Sequence, residues 1–158
     1  MAKVDLESKL LEAIAYVKAS LNAKITEINA EKADAVTLGT VEATAYLFAP
    51  EIEAQFPTHD PFVVFHIGSE LGDTAGDESS IKGLLGIEVV TSDRGYASGE
   101  AVAKMLLRYK RAIREVLAAK FRSFGVLRVI DFPDVKFAAG EGQGYWSVAV
   151  GFNFNITG

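Results

Sequence analysis

Val102, Met105, Leu106, Tyr109, Ile113, Val116 and Leu117 recur at steps of three and four. That spacing lays one apolar stripe along a helix, and it predicts an amphipathic helix over Ser98–Phe121. Ser98 is placed to cap its N-terminus, and Glu100 puts negative charge in the first turn. Gly125, just past Phe124, is a candidate stop. At ~1.5 Å per residue such a helix is about 36 Å long. A second stripe runs through Leu6, Leu10, Ile14, Val17, Leu21, Ile25 and Ile28. It predicts a long N-terminal helix over residues 4–29, packed on the core and placed to reach a neighbouring subunit.

Elsewhere the period shortens. Val36, Leu38 and Thr40 alternate and predict a strand near 36–40. From Val41 to Gln55 strand-favouring and helix-favouring residues mix, and Pro50 and Pro57 break the chain, so no element is assigned there. Phe62–Ile67 is a continuous apolar run and reads as a strand covered on both faces. Gly68–Ser80 is glycine-rich and acidic and reads as a flexible loop. Leu84–Val90 predicts a further strand, with Leu85, Ile87 and Val89 on one face. Val126–Ile130 and Val135–Phe137 read as strands split by Asp131–Asp134, and Gly140, Gly142 and Gly144 as a turn. In the final strand, 145–156, Trp146, Val148, Val150, Phe152, Phe154 and Ile156 share one face. With hairpin-linked strand pairs, the expected fold is one α+β domain over residues 1–158. Its mainly antiparallel sheet contains 62–67, 84–90, 126–130 and 145–156, with the long N-terminal helix and the second long helix packed on one face.

Composition narrows this picture. The chain has 158 residues, 49% of them hydrophobic, which suffices for a sizeable core. It has no cysteine, which excludes a disulfide framework and a thiolate metal site. Its apolar runs fall far short of the ~18 residues a membrane span needs. The first residues alternate charge with hydrophobes, unlike the apolar centre of a secretory signal. A soluble chain that does not engage a membrane is the expectation.

Charge is segregated. Residues 33–96 hold eleven acids and two basic residues, a net of −9. Residues 97–122 hold seven basic residues and two acids, a net of +5. Two such blocks can meet within one subunit or between subunits.

Candidate chemistry is sparse. His66 lies inside an apolar strand and is expected to be a buried, hydrogen-bonded core or interface histidine rather than a ligand. His59 beside Asp60 is the pattern of a base with its orienting acid, but no serine or threonine sits in a nucleophile elbow. The acidic run Asp73–Glu78 lacks the ligand alternation of a calcium loop. The glycines at 140, 142 and 144 lie between strands rather than before a helix, so they form a turn and not a phosphate cradle. No catalytic, cofactor-binding or metal-ligating residue is assigned, no cofactor is expected, and the protein is not expected to be an enzyme. The basic helix face alone offers nucleic acid an electrostatic surface, without a base-reading motif.

The element order, the basic helix RYKRAIREVL (Arg108–Leu117) and the closing strand GQGYWSVAVGF resemble a known family. The chain resembles the tail terminator, or tail-completion, proteins of long-tailed bacteriophages and related head–tail joining proteins. The resemblance covers most of the chain in element order and length; residues 33–56 fit it least. It implies a structural virion protein, found in the host cytoplasm during assembly and in the tail or neck afterwards. Such a protein forms a homo-oligomeric ring, commonly a hexamer, that caps the tail tube protein and joins it to the head-connector, or neck, protein. Passive contact with DNA in the lumen is a further role for the basic face.

On this reading Arg108, Arg111 and Arg114 project from the polar side of the central helix. They are expected to meet Glu70, Asp73, Asp77 and Glu78 of a neighbouring subunit. Arg108→Glu with Arg111→Glu is then expected to leave the monomer folded and to prevent ring formation. Two other classes compete: a small ligand-binding or regulatory domain of a soluble cytoplasmic protein, and a hydrolase using His59 and Asp60.

Overall fold

The two apolar stripes become two long helices, α1 over Leu6–Lys32 and α2 over Gly99–Ala118. The stripe of α1 is buried from Leu10 to Ile28, and that of α2 from Val102 to Leu117. Ser98 caps α2 by accepting a hydrogen bond from the Ala101 amide at 3.1 Å. Gly125 stops a different element. α2 ends at Ala118, a single turn follows at Phe121–Phe124, and Gly125 leaves that turn with φ 72°. A positive φ is open to glycine at little cost, so the chain can reverse there into the sheet.

The computed structural model describes residues 6–49, 59–71, 80–93, 96, 98–138 and 144–157. Among these residues six strands form one sheet: β1 (Tyr46–Phe48), β2 (Phe62–Leu71), β3 (Ser80–Ser92), β4 (Val126–Asp131), β5 (Val135–Ala138) and β6 (Gly144–Thr157). Their order is β1-β2-β3-β6-β4, with β5 also on β6. Only β1 on β2 is parallel, so the domain is α+β with a mainly antiparallel sheet.

Two expectations change and a third holds. Residues 36–40 are extended but pair with no strand. The loop expected at Gly68–Ser80 is shortened at both ends, because β2 runs to Leu71 and β3 begins at Ser80; residues 72–79 lie outside the described residues. The split expected between β4 and β5 is present. Both run antiparallel to β6, at Val126–Asp131 and Val135–Ala138, so they form one edge strand interrupted at 132–134.

Register places the core. Val63–Val89–Val148, Phe65–Ile87–Val150 and Leu85–Phe152 are cross-strand neighbours on the face that carries the helices. All except Phe65, at 1%, are fully buried. Each such side chain contributes roughly 1.5–3 kcal/mol of transfer free energy. The opposite face carries Glu88, Ala149 and Gly151. Phe62–Phe65 is buried on both faces, as its unbroken apolar run predicts, but His66 and Ile67 beyond it are exposed. No helix among the described residues is long and apolar enough to cross a membrane.

Candidate functional site

The two helices run antiparallel, and their stagger creates the surfaces that matter. Arg111 of α2 pairs with Glu31 near the end of α1, while Lys120 and Phe124 meet Tyr16. Each helix therefore overhangs the other at its own N-terminal end.

At the α1 end, Leu6, Leu10 and Leu11 with Ile67 and Gly68 line a hollow of about 350 Å³. Leu11 is 43% exposed and Ile67 49%. At the α2 end, Val102, Leu106 and Leu107 face Tyr96, Lys136 and Trp146 across a groove of about 510 Å³. Leu107 is 64% exposed there. Ile67 sits opposite Leu85 and Trp146 opposite Thr91, six residues along β3. At ~3.3 Å per residue the two apolar ends lie about 20 Å apart. Sequence periodicity did not reveal them, because Leu11 and Leu107 look like stripe-widening core positions until the partner helix is seen to end.

The basic face of α2 is largely neutralised within the subunit. Arg108 does not project from it. The residue is 6% exposed and donates to Asp34 at 2.9 and 2.6 Å and to the Val36 carbonyl at 2.7 Å. These hydrogen bonds hold the Asp34 carboxyl well below the usual carboxylate range. Arg111 donates to Glu31 at 2.6 Å and to Glu115 at 3.1 Å. Arg114 reaches Asp131 at 3.5 Å and Lys110 reaches Asp134 at 2.8 Å. The acids come from α1, the segment after it, α2 itself, and β4 with the residues that follow it. Glu70 is in β2 opposite Lys82, and Asp73, Asp77 and Glu78 lie outside the described residues. Among the described residues, the carboxylates that meet Arg108, Arg111 and Arg114 are Asp34, Glu31, Glu115 and Asp131.

The extended segment 36–41 lies over α1 and α2, and side chains supply what a partner strand would. Asn29 accepts from the Leu38 amide at 2.8 Å and donates to its carbonyl at 3.0 Å. Asn22 does the same for Val41, at 2.7 Å each way. Seven helical residues span about 10.5 Å at ~1.5 Å each. Three extended residues span about 10 Å at ~3.3 Å each. The two asparagines are thus spaced to read residues 38 and 41. The Tyr96 hydroxyl accepts from the Thr37 amide and donates to its carbonyl, and the Tyr109 hydroxyl donates to the Gly39 carbonyl. Val36, Leu38 and Val41 are buried beneath. The alternation expected to mark a strand instead marks a strap.

The histidines depart in part from expectation: His66 is hydrogen-bonded but not part of the core, and His59 has a different acid. His66 is exposed, not buried, and its Nε2 lies 3.0 Å from Glu88. Burial pushes the Glu88 carboxyl up, but hydrogen bonds from His66 and the Ser147 hydroxyl outweigh it and hold the group low. His59 does not pair with Asp60. Its ring meets Glu42 at 3.2 Å and Thr44 at 3.3 Å. Asp60 instead accepts from the Thr91 hydroxyl at 2.9 Å, the Ser92 amide at 3.1 Å and the Ser92 hydroxyl, holding the end of β3. The base–acid pair of the hydrolase reading is not assembled. Among the described residues no three His, Cys, Asp or Glu side chains converge as a metal site.

No protein-family model matches the chain, and no curated protein matches its sequence.

Proposed function

We propose that this protein is a structural subunit of a ring, of the tail-terminator kind that its element order resembles: a cap on a tail tube, joined to a head connector. The observation that carries the reading is the stagger of α1 and α2. It gives one subunit two different apolar surfaces at opposite ends of the sheet. A ring needs such a heterologous contact, one patch meeting a different patch, whereas a twofold dimer needs a single self-complementary one. This reading gives the subunit a structural role, and Asp60, the acid expected beside His59, is engaged at the end of β3 instead.

Charge between the acidic loop and the basic helix is not what this reading now rests on. The basic helix finds many of its counter-ions inside its own subunit. Sedimentation and electron microscopy of the purified chain test the proposal. A closed particle several times 17.0 kDa is expected. A monomer at every concentration would sink it. The groove of about 510 Å³ also has the size of a small-molecule site, which keeps the ligand-binding reading in view. A monomer that gains thermal stability with an apolar small molecule would favour that second reading.

A further inference from the structure

We infer that the occupant of the Leu106–Leu107 groove is the N-terminal end of α1 from a second copy of this chain, with Glu7 of that copy meeting Lys136. The inference rests on the ring reading and goes on to name the two faces that make the contact.

Charge complementarity selects this occupant. Lys136 lines the groove and stands over Trp146, its Nζ 5.4 Å from the ring centroid. It has no carboxylate partner among the described residues. Two acids also line the groove, but both are engaged: Asp134 by Lys110 at 2.8 Å, and Asp93 within its own chain. The groove therefore offers an apolar wall and, among the described residues, a cation without a salt-bridge partner. At the other end of the subunit, Glu7 lines the α1 hollow among Leu6, Leu10 and Leu11. It is exposed and has no cationic partner among the described residues. That end offers exposed apolar side chains and, among the described residues, an anion without a cationic partner. The two ends match in polarity as well as in sign.

Geometry agrees. Both ends lie on the helix-bearing side of the sheet, about 20 Å apart along β3, so contact between them repeats in one direction from copy to copy. Seating Leu11 and Ile67 against Leu107 also covers the three most exposed large apolar side chains at these ends. The apolar contact supplies affinity. The Glu7–Lys136 pair sets register, since an exposed pair contributes little on its own.

The full chain tests this by sedimentation at low salt. Leu107→Asp and Leu11→Asp change exposed side chains and leave the monomer folded, checked by circular dichroism. Each is expected to abolish assembly. Glu7→Lys alone and Lys136→Glu alone are expected to raise the half-assembly concentration roughly fivefold, the factor that ~1 kcal/mol gives. The two reversals in one chain are expected to restore the parental value. Assembly that survives Leu107→Asp, or single reversals that the double variant fails to rescue, would overturn the contact while leaving the ring reading intact. A parental chain that stays monomeric would overturn both.

Discussion

Arg108 and Asp34, separated by 74 positions in sequence, form a two-pronged ion pair whose donor is buried and whose acceptor is half exposed. The pair locks the start of the strap 36–41 to α2, and the same guanidinium reaches the Val36 carbonyl. A residue with the periodicity of a surface arginine is thus a fixed part of the fold.

Removing that arginine should weaken folding. Arg108→Ala leaves the Val36 carbonyl without its donor inside the protein, at a cost of about 1–3 kcal/mol. The double change Arg108→Glu with Arg111→Glu therefore destabilises the monomer, contrary to the expectation from sequence. Urea unfolding measures this directly. An unchanged midpoint for Arg108→Ala would show that the pair contributes nothing.

Acid should erase part of the same contribution. The Asp34 carboxyl is held below its unfolded value, so the pair stabilises the fold above the ordinary aspartate pKa of about 3.9. As pH falls from there toward the lower folded value, the unfolded state takes up a proton that the folded state does not, and the contribution is lost. Asp34→Asn should thus be less stable than the parent at pH 7, with the gap closing below pH ~4. A gap that stays constant down to pH ~2 would contradict the assignment.

The asparagine ladder gives an independent test of the strap. Asn29→Ala leaves the Leu38 amide and carbonyl without their partners, and should cost roughly 2 kcal/mol. Asn22→Ala should behave alike at Val41. Hydrogen exchange adds a local readout: the Leu38 amide should lose protection in Asn29→Ala while the Val41 amide keeps it. Equal loss at both would mean that the strap moves as one piece.

Gly125 is the position where backbone conformation alone sets the residue. Its φ of 72° costs an L-residue about 1–2 kcal/mol, so Gly125→Ala should destabilise by that order. Gly99, at the start of α2, has open space around it. Gly99→Ala should be neutral or slightly stabilising, and thermal melts of the two variants side by side separate strain from simple loss of a glycine.

The local elements were legible because periodicity follows from which face each element buries. The stripes of α1 and α2 determined two helices, and the alternation from Trp146 to Phe154 determined the long final strand and its buried face. The Ser98 cap was equally readable, since capping acts within three residues. The continuous run Phe62–Phe65 gave a strand covered on both sides.

What the chain could not announce depends on partners distant in sequence. Alternation at Val36 and Leu38 says only that one side of an extended segment is buried; whether a strand or two asparagines match its backbone is decided by where α1 lies. The sign of a charge block likewise does not say which counter-ion it meets, and Asp34, Glu31, Asp131 and Asp134 reached the basic helix first. The exposed apolar ends arise from the stagger of two helices, a relation between elements and not a property of either. The sequence by itself determined the elements and their buried faces, because those depend on neighbours within one or two turns. Tertiary structure decided the strap, the ion pairs and the two candidate contact surfaces, because each depends on where one element ends against another.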